Sequence, residues 1–228
     1  MITGASRGIG RAIAISLSQD YHVVALARRR EGLEYLEKEI VARGGSCDIH
    51  LADVGNEDEV PRALHDVEAD VLVNNAGLGR LVPLLELEPD EWRSMIDANV
   101  NGLYHVTRTL LPGMVKRGRG HIVVISSIAG RSAFAGGSCY AATKHFANAF
   151  AESLYLEVRD AGVKVSLIQP GAVATEFNRG DPTATANAWK LRPDAIASAV
   201  RHVLSTGENE LVFQMEVRAL RKFDSPAR

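Results

Sequence analysis

Cysteine is nearly missing from this chain: Cys47 and Cys139 are the only two in 228 residues. The two are widely separated, with no spacing between them of the kind a zinc or iron–sulfur site uses, and two distant thiols make no disulfide framework. No metal centre is therefore expected, and free thiols fit a reducing compartment, with the cytoplasm as the expected location. Long apolar runs are missing too. None approaches the ~18 residues that a bilayer span needs, and the glycine-rich start lacks the charged-then-apolar order of a signal peptide. Excess charge is the third absence. The 26 basic and 28 acidic residues leave a formal net charge of −2, which offers nothing to nucleic acid or to an anionic membrane. Internal repeats, low-complexity tracts and linker-like stretches are also lacking. One domain spanning 1–228 is expected, long enough to bury a substantial core.

What the chain does contain centres on the stretch from Ser127 to Lys144. A serine follows an apolar run, Ile122-Val123-Val124-Ile125, and a small-residue turn leads to Tyr140-Ala141-Ala142-Thr143-Lys144. Positions four apart share a helix face, so the phenol and the ammonium are expected to be neighbours. A tyrosine ordinarily titrates near pH ~10. A cation ~4 Å away, at an effective dielectric of about 20, favours the phenolate by roughly 4 kcal/mol, which predicts a phenol titrating near pH ~7. Such a group gives and takes protons at neutral pH. Ser127 is placed to hydrogen-bond the same reacting oxygen. Tyr-x-x-x-Lys alone is an ordinary helix pair, so its meaning depends on the rest of the chain. Cys139, beside Tyr140, reads as a small packing residue.

The chain opens with Met1-Ile2-Thr3 and then Gly4-Ala5-Ser6-Arg7-Gly8-Ile9-Gly10, followed by Ala12, Ile13 and Leu17 at helical spacing. This is a strand–turn–helix unit whose glycines let backbone amides approach a phosphate at a helix N-terminus. The spacing is Gly-x-x-x-Gly-x-Gly rather than the commoner Gly-x-Gly-x-x-Gly. Residues 22–27 read as a buried parallel strand. Dinucleotide-binding folds place an acid near the end of this strand to accept a ribose 2′-OH. Here Ala27 is followed by Arg28 and Arg29. A carboxylate repels a 2′-phosphate and a guanidinium binds one, so these two residues, with Arg7 on the other side, predict a preference for NADP. The bland alternative is a solvated basic helix start.

Further on, the periodicity predicts a helix over 31–43, a strand over 47–51 with Asp53-Val54 at its edge, a helix over 57–67, and a strand over 70–73 that stops at Asn74-Asn75-Ala76-Gly77. Pro89 opens a helix whose apolar stripe includes Trp92, Ile96, Asn99, Val100, Leu103, Val106, Leu110 and Leu111. A strand over 121–125 precedes Ser127. The helix carrying Tyr140 and Lys144 runs to Gly162, and a strand over 163–168 follows. The stretch 170–190 is long and irregular, as lids and binding loops are. A helix over 193–205, a strand within 210–220 and a frayed tail after Arg221 end the chain. Strands alternating with helices imply a parallel sheet covered on both faces, with ligands at the strands' carboxyl ends.

Together these motifs resemble the short-chain dehydrogenase/reductase family across essentially the whole chain. The carrying residues are Thr3 to Gly10, Asp53-Val54, Asn74-Asn75-Ala76-Gly77, Asn99, Ser127, Tyr140 with Lys144, and Pro170-Gly171-Ala172-Val173-Ala174-Thr175. The resemblance implies a single-domain, Rossmann-like, doubly wound parallel sheet of about seven strands. It implies a catalytic set of Asn99, Ser127, Tyr140 and Lys144. NADP(H) would be held by Gly4, Ser6, Arg7, Gly8, Ile9, Gly10, Arg28, Arg29, Asp53, Val54, Asn75, Ala76, Gly77, Tyr140, Lys144, Pro170, Gly171, Val173 and Thr175. In the family's manner, Tyr140 exchanges the proton, Ser127 polarises the substrate oxygen, Lys144 lowers the tyrosine pKa and binds ribose hydroxyls, and Asn99 anchors a water. Asp53 contacts adenine, Asn75 to Gly77 line a ribose, and Val173 and Thr175 hold the carboxamide. The helices ending near Lys116 and Asp160 resemble the family's dimer-forming pair, so a homodimer or homotetramer is expected.

Members of the family usually carry several apolar residues before the first Thr-Gly, whereas here only Met1 and Ile2 precede Thr3. A shortened first strand, and lower stability than a chain extended by about five apolar residues, are expected. The function expected is hydride transfer between NADP(H) and the carbonyl or secondary alcohol of a small substrate. A non-catalytic NADP sensor is the alternative, but it has no use for Ser127, Tyr140 and Lys144 together. A sugar-nucleotide epimerase or dehydratase on this fold needs a larger C-terminal substrate domain. Residues between Ala129 and Gly137, and between Phe177 and Trp189, are expected to line the substrate pocket.

Overall fold

The computed structural model describes residues 1–181 and 183–220. Seven parallel strands form one sheet, β1 (Ile2–Thr3), β2 (Val23–Ala27), β3 (Cys47–Leu51), β4 (Val71–Asn74), β5 (Gly120–Ile125), β6 (Val163–Pro170) and β7 (Gln214–Val217). Their order is β3-β2-β1-β4-β5-β6-β7. The chain works outward from β1 to β3, returns to the centre at β4, and then works outward the other way. The reversal opens a crevice at the carboxyl ends of β1 and β4, where open α/β sheets bind ligands.

Helices cover both faces: α1 (Gly8–Leu17), α2 (Arg30–Ala42), α3 (Glu59–Ala63), α4 (Pro89–Ile96), α5 (Gly102–Arg117), α6 (Ser138–Val158) and α7 (Pro193–Leu204). Alternation along each strand sends neighbouring side chains to opposite faces. Leu72, Ile122, Val124, Val165 and Leu167 pack with Leu103, Val106 and Leu110 of α5 and with Ala151 and Leu154 of α6. Val73, Val123, Ile125 and Ile168 pack with Ile13 and Leu17 of α1, Leu36 and Ile40 of α2, and Ile196 and Val200 of α7. Each side chain so buried contributes about 1.5–3 kcal/mol. That is why the strands read as continuous apolar runs.

The centre of the sheet is its shortest part. Ile2 pairs with Ala25 on one side and Val73 on the other. The Met1 ammonium is buried and donates to the Val71 carbonyl at 2.8 Å.

Some expectations need correction. The helix predicted over 57–67 is confined to α3; it begins no earlier than Glu59 because Pro61 has no N–H to donate and is tolerated only within the first turn. The long apolar helix after Pro89 is two α-helices joined by a π-helical turn, Asp97–Asn101. The extra residue in that turn rotates the faces. Met95 is fully buried, whereas Trp92, placed in the stripe by regular spacing, is 42% exposed. The irregular stretch after Pro170 contains two 3-10 turns, Phe177–Arg179 and Thr185–Asn187, and is tied back by a bridge between Val173 and Leu191. The tail after Arg221 lies outside the described residues.

Candidate active site

Thr3 and Asn75 bolt the two central strands together where they end. The Thr3 hydroxyl accepts from the backbone N–H of Asn75 at 3.0 Å and of Ala76 at 2.9 Å. The Asn75 amide donates back to the Thr3 carbonyl at 2.9 Å. The side chain of Asn75 is therefore a brace for the first turn, and the residue also lines the crevice. The glycine turn is packed beneath it. Gly4 has φ +64°, and a Cβ on Gly10 would stand 2.3 Å from the Gly4 carbonyl oxygen, so neither position admits a side chain. The Arg11 N–H is the first in α1 to find a backbone acceptor in its own turn, the Arg7 carbonyl at 3.2 Å. The amides of Gly8, Ile9 and Gly10 precede it, an arrangement that suits a phosphate.

A cavity of about 710 Å³ runs from this turn along the strand ends. At the β2 end it is lined by Gly4, Ser6, Arg7, Gly8, Ile9, Arg28, Arg29, Asp53 and Val54. Asn75, Ala76 and Gly77 line its middle, and Ser127, Tyr140, Lys144, Pro170, Gly171, Val173 and Thr175 line its far end. Every predicted site residue is on this wall except Gly10 and Asn99, which are buried behind it. Arg28 is not wholly free for a ligand, since its guanidinium lies 3.4 Å from the Asp53 carboxylate. The same carboxylate accepts from the Gly55 N–H at 3.0 Å. Arg7 and Arg29 form no ion pair among the described residues.

Ser127 sits just beyond β5, in extended backbone, and its hydroxyl caps the next turn by accepting from the Ala129 N–H at 3.1 Å. Tyr140 and Lys144 stand one turn apart on α6. The Lys144 amine is buried and donates to the Ile125 carbonyl at 3.1 Å, and burial lowers its pKa to about 8. It lies 5.9 Å from the centroid of the Tyr140 ring.

The phenol does not follow the expectation of a pKa near 7. Its pKa is raised above the usual value by burial, and a hydrogen bond with Ser127 only partly offsets this. The physical reason is that a cation bonded to a carbonyl, and itself losing hold of its proton, is a weaker partner than the fixed charge assumed from spacing.

Asn99 lies in the π-helical turn, where it is fully engaged. Its amide donates to the Leu78 carbonyl at 2.8 Å and to the Thr143 hydroxyl at 3.0 Å, and its oxygen accepts from the Leu78 N–H at 2.9 Å. It holds the segment after Gly77 against α6, one residue from Lys144.

Of the predicted substrate-pocket residues, Ala129, Ser132, Ala133 and Phe134 line the cavity on one side and Phe177 and Asn178 on the other. Among the residues whose side chains are described, none from Gly180 to Trp189 does. Liners outside the predicted site include Leu78, Leu81, Ala98, Ile128, Glu176, Lys190 and Arg218. Leu81 and Lys190 border segments already suspected. Nothing around Arg218 in the sequence marks it.

A strand-switch crevice, a glycine-shaped helix start and a Ser–Tyr–Lys wall define a dinucleotide-dependent oxidoreductase site. The family model described as short chain dehydrogenase matches residues 1–185, and the chain belongs to that family. It is 38% identical over 216 residues to the NADP-dependent 3-hydroxy acid dehydrogenase YdfG of Salmonella typhi, covering 88% of this chain and 86% of that one. Among solved structures, it resembles an alcohol dehydrogenase from the archaeon Thermococcus sibiricus complexed with 5-hydroxy-NADP (TM-score 0.89, 32% identity, 100% and 97% covered). It also resembles the closed form of serine dehydrogenase complexed with NADP+ (TM-score 0.88, 33% identity, 100% and 97% covered). Among the described residues no helix is long and apolar enough to cross a membrane.

Proposed function

We propose that this enzyme uses NADP(H) to interconvert the carbonyl and the secondary alcohol of a small substrate. The supporting observation is the convergence of Ser127, Tyr140 and Lys144 on one cavity that begins at the glycine turn. The residues fit the cofactor. A Cβ on Gly4 would stand 2.9 Å from Ala76, so this turn leaves bare backbone beside the α1 amides, and Arg7, Arg28 and Arg29 supply positive charge where a 2′-phosphate belongs. Bound NADPH supplies the hydride.

The protein's own groups handle the proton. The Tyr140 hydroxyl donates to the substrate carbonyl oxygen, and the Ser127 hydroxyl bonds the same oxygen, so developing negative charge meets two donors. A raised phenol pKa suits this direction, because the proton-bearing form dominates at neutral pH. Lys144, held by Ile125, places positive charge behind the phenol and assists when the proton must leave. Asn99 positions the wall opposite through Leu78.

The NADP-dependent 3-hydroxy acid dehydrogenase and the NADP-bound structures among the relatives support NADP over NAD. We further propose a homodimer or homotetramer, supported by Tyr104 and Val115 on α5 and Phe146 and Leu156 on α6, all exposed.

The test is loss of NADPH absorbance with a panel of aldehydes, ketones and keto acids, wild type beside Tyr140→Phe. The variant is expected to lose about 10²–10⁴-fold in kcat. Equal turnover by the two proteins would sink the assignment. A non-catalytic NADP sensor is the reading left if neither protein consumes NADPH while both bind it.

A further inference from the structure

The far end of the cavity is basic in a way that the hydride-transfer reading does not use. Ile125 pairs with Ile168, and Pro170 pairs with Val217. Ser127, two residues past Ile125, is therefore level with Val217, and Arg218 follows at once. Neighbouring strands lie about 4.8 Å apart, so the Arg218 backbone stands roughly 10 Å across the strand ends from Ser127, with Gly171 between them. Gly171 leaves the space: a Cβ there would meet the Arg218 Cα at 3.6 Å and its Cγ at 3.7 Å.

Arg218 is held, but not consumed. Its Nε bonds the Glu216 carboxylate. That carboxylate is shared with Arg131, whose Nη1 lies 3.6 Å from the other oxygen and which comes from the turn after Ser127. One carboxylate thus faces two guanidiniums. The terminal nitrogens of Arg218 make no bond among the described residues, which leaves the edge that grips carboxylates bidentately. Lys190 adds a second cation. The Leu191 N–H beside it donates to the Ala172 carbonyl at 2.9 Å, which fixes that segment along the same turn, and the Lys190 amine has no partner among the described residues. Of the two acids on the wall, Asp53 lies at the β2 end and Glu176 toward the glycine turn, its Oε2 3.9 Å from where a Gly8 Cβ would be.

We infer that Arg218, positioned by Glu216 and assisted by Lys190, binds a carboxylate on the substrate and makes the enzyme selective for small oxo and hydroxy acids. The inference rests on the hydride-transfer reading above. The acid spans from the Ser127–Tyr140 pair, which holds the reacting oxygen, to Arg218, which holds the anionic end. Arg218 reads the substrate and takes no part in the proton transfer.

The experiment compares acetoacetate with methyl acetoacetate, near-isosteres that differ in charge, as substrates for NADPH oxidation by the wild type, Arg218→Gln, Arg218→Lys and Lys190→Gln. The wild type is expected to favour the acid by at least tenfold in kcat/KM. Arg218→Gln is expected to lower kcat/KM for the acid by about 10–100-fold, chiefly through KM, and to change the ester by less than about twofold. Arg218→Lys should recover part of the loss, and Lys190→Gln should cost less than Arg218→Gln. Binding of NADPH, followed by its fluorescence, should stay within about twofold in all variants.

Equal losses on acid and ester, or an ester preferred by the wild type, overturn the inference and leave the oxidoreductase reading standing. So does weakened NADPH binding by Arg218→Gln with an unchanged acid-to-ester ratio, which assigns the guanidinium to the cofactor. Turnover of neither substrate, nor of any carbonyl in the wider panel, overturns the oxidoreductase reading and this inference with it.

Discussion

Phe177 lies against Tyr140, the two ring centroids 5.2 Å apart and the planes inclined by 57°. The same ring occupies the space beside Gly79, where a Cβ would stand 2.2 Å from it. Asn178 fastens the contact: its side-chain oxygen accepts from the Leu81 N–H at 3.2 Å, and its backbone is left-handed at φ 52°. Asparagine tolerates that conformation better than other side chains do. The stretch after Thr175 is thus pinned across the Tyr140 phenol and contributes to its burial.

Removing the ring should therefore change an ionisation, not just a shape. Burial raises the Tyr140 pKa. Phe177→Ala lets water reach the phenol and lowers that pKa, so the acid limb of the pH profile for alcohol oxidation, where the phenolate must accept a proton, is expected to move to lower pH. The kcat–pH curve of the variant beside wild type checks this. An unmoved limb would mean that Phe177 does not set the environment of the phenol.

Lys144 gives a stability prediction of definite sign. Its folded pKa of about 8 lies below the ordinary 10.5, so between those values the unfolded chain holds more protons than the folded one. Stability gains from this group as pH rises from 8 to 10.5, by roughly 3 kcal/mol in full. Lys144→Met is expected to flatten urea-unfolding stability across that window, while lowering kcat by at least 10²-fold. The same slope in both proteins would refute the assignment.

On the acid side the group to watch is His121. It is buried between strands, with Nε2 2.8 Å from the Ser166 hydroxyl, which itself donates to the Val212 carbonyl at 2.7 Å. The ring must then be the donor, neutral and protonated at Nε2. Burial, and secondarily Lys164, lowers its pKa from 6.5 to about 4. The unfolded chain takes up the proton first, so stability falls as pH drops from 6.5 to 4, by roughly 3 kcal/mol in full. His121→Gln is expected to show a shallower acid limb in the dependence of Tm on pH. An unchanged limb would place the acid sensitivity elsewhere.

The parts of the site that sequence made legible are those where chemistry allows one residue type. Gly4 and Gly10 are demanded by backbone contact, Tyr140 and Lys144 by a helical spacing, and Ser127 by the end of a buried strand. Properties that depend on packing were not legible. The Tyr140 pKa was misread because the spacing fixes which groups are neighbours, but not how far burial outweighs their attraction. The brace from Asn75 to Thr3 was not legible either, because it is a bond between residues distant in sequence. Arg218 stayed hidden because it follows a short strand in which exposed and half-buried residues alternate. Only the pairing of β6 with β7 brings it beside Gly171.

The widened turn at Asp97–Asn101 has a consequence for any attempt to regularise this helix. Winding all five of its residues as ordinary α-helix, with none removed, would swing everything downstream by about 100° around the axis. Leu103, Val106 and Leu110 would then leave the sheet, and Asn99 would lose its reach to Leu78 and Thr143. The irregularity thus works as a phase adjuster: one surplus residue keeps an apolar seam and a polar clasp in step along a single rod.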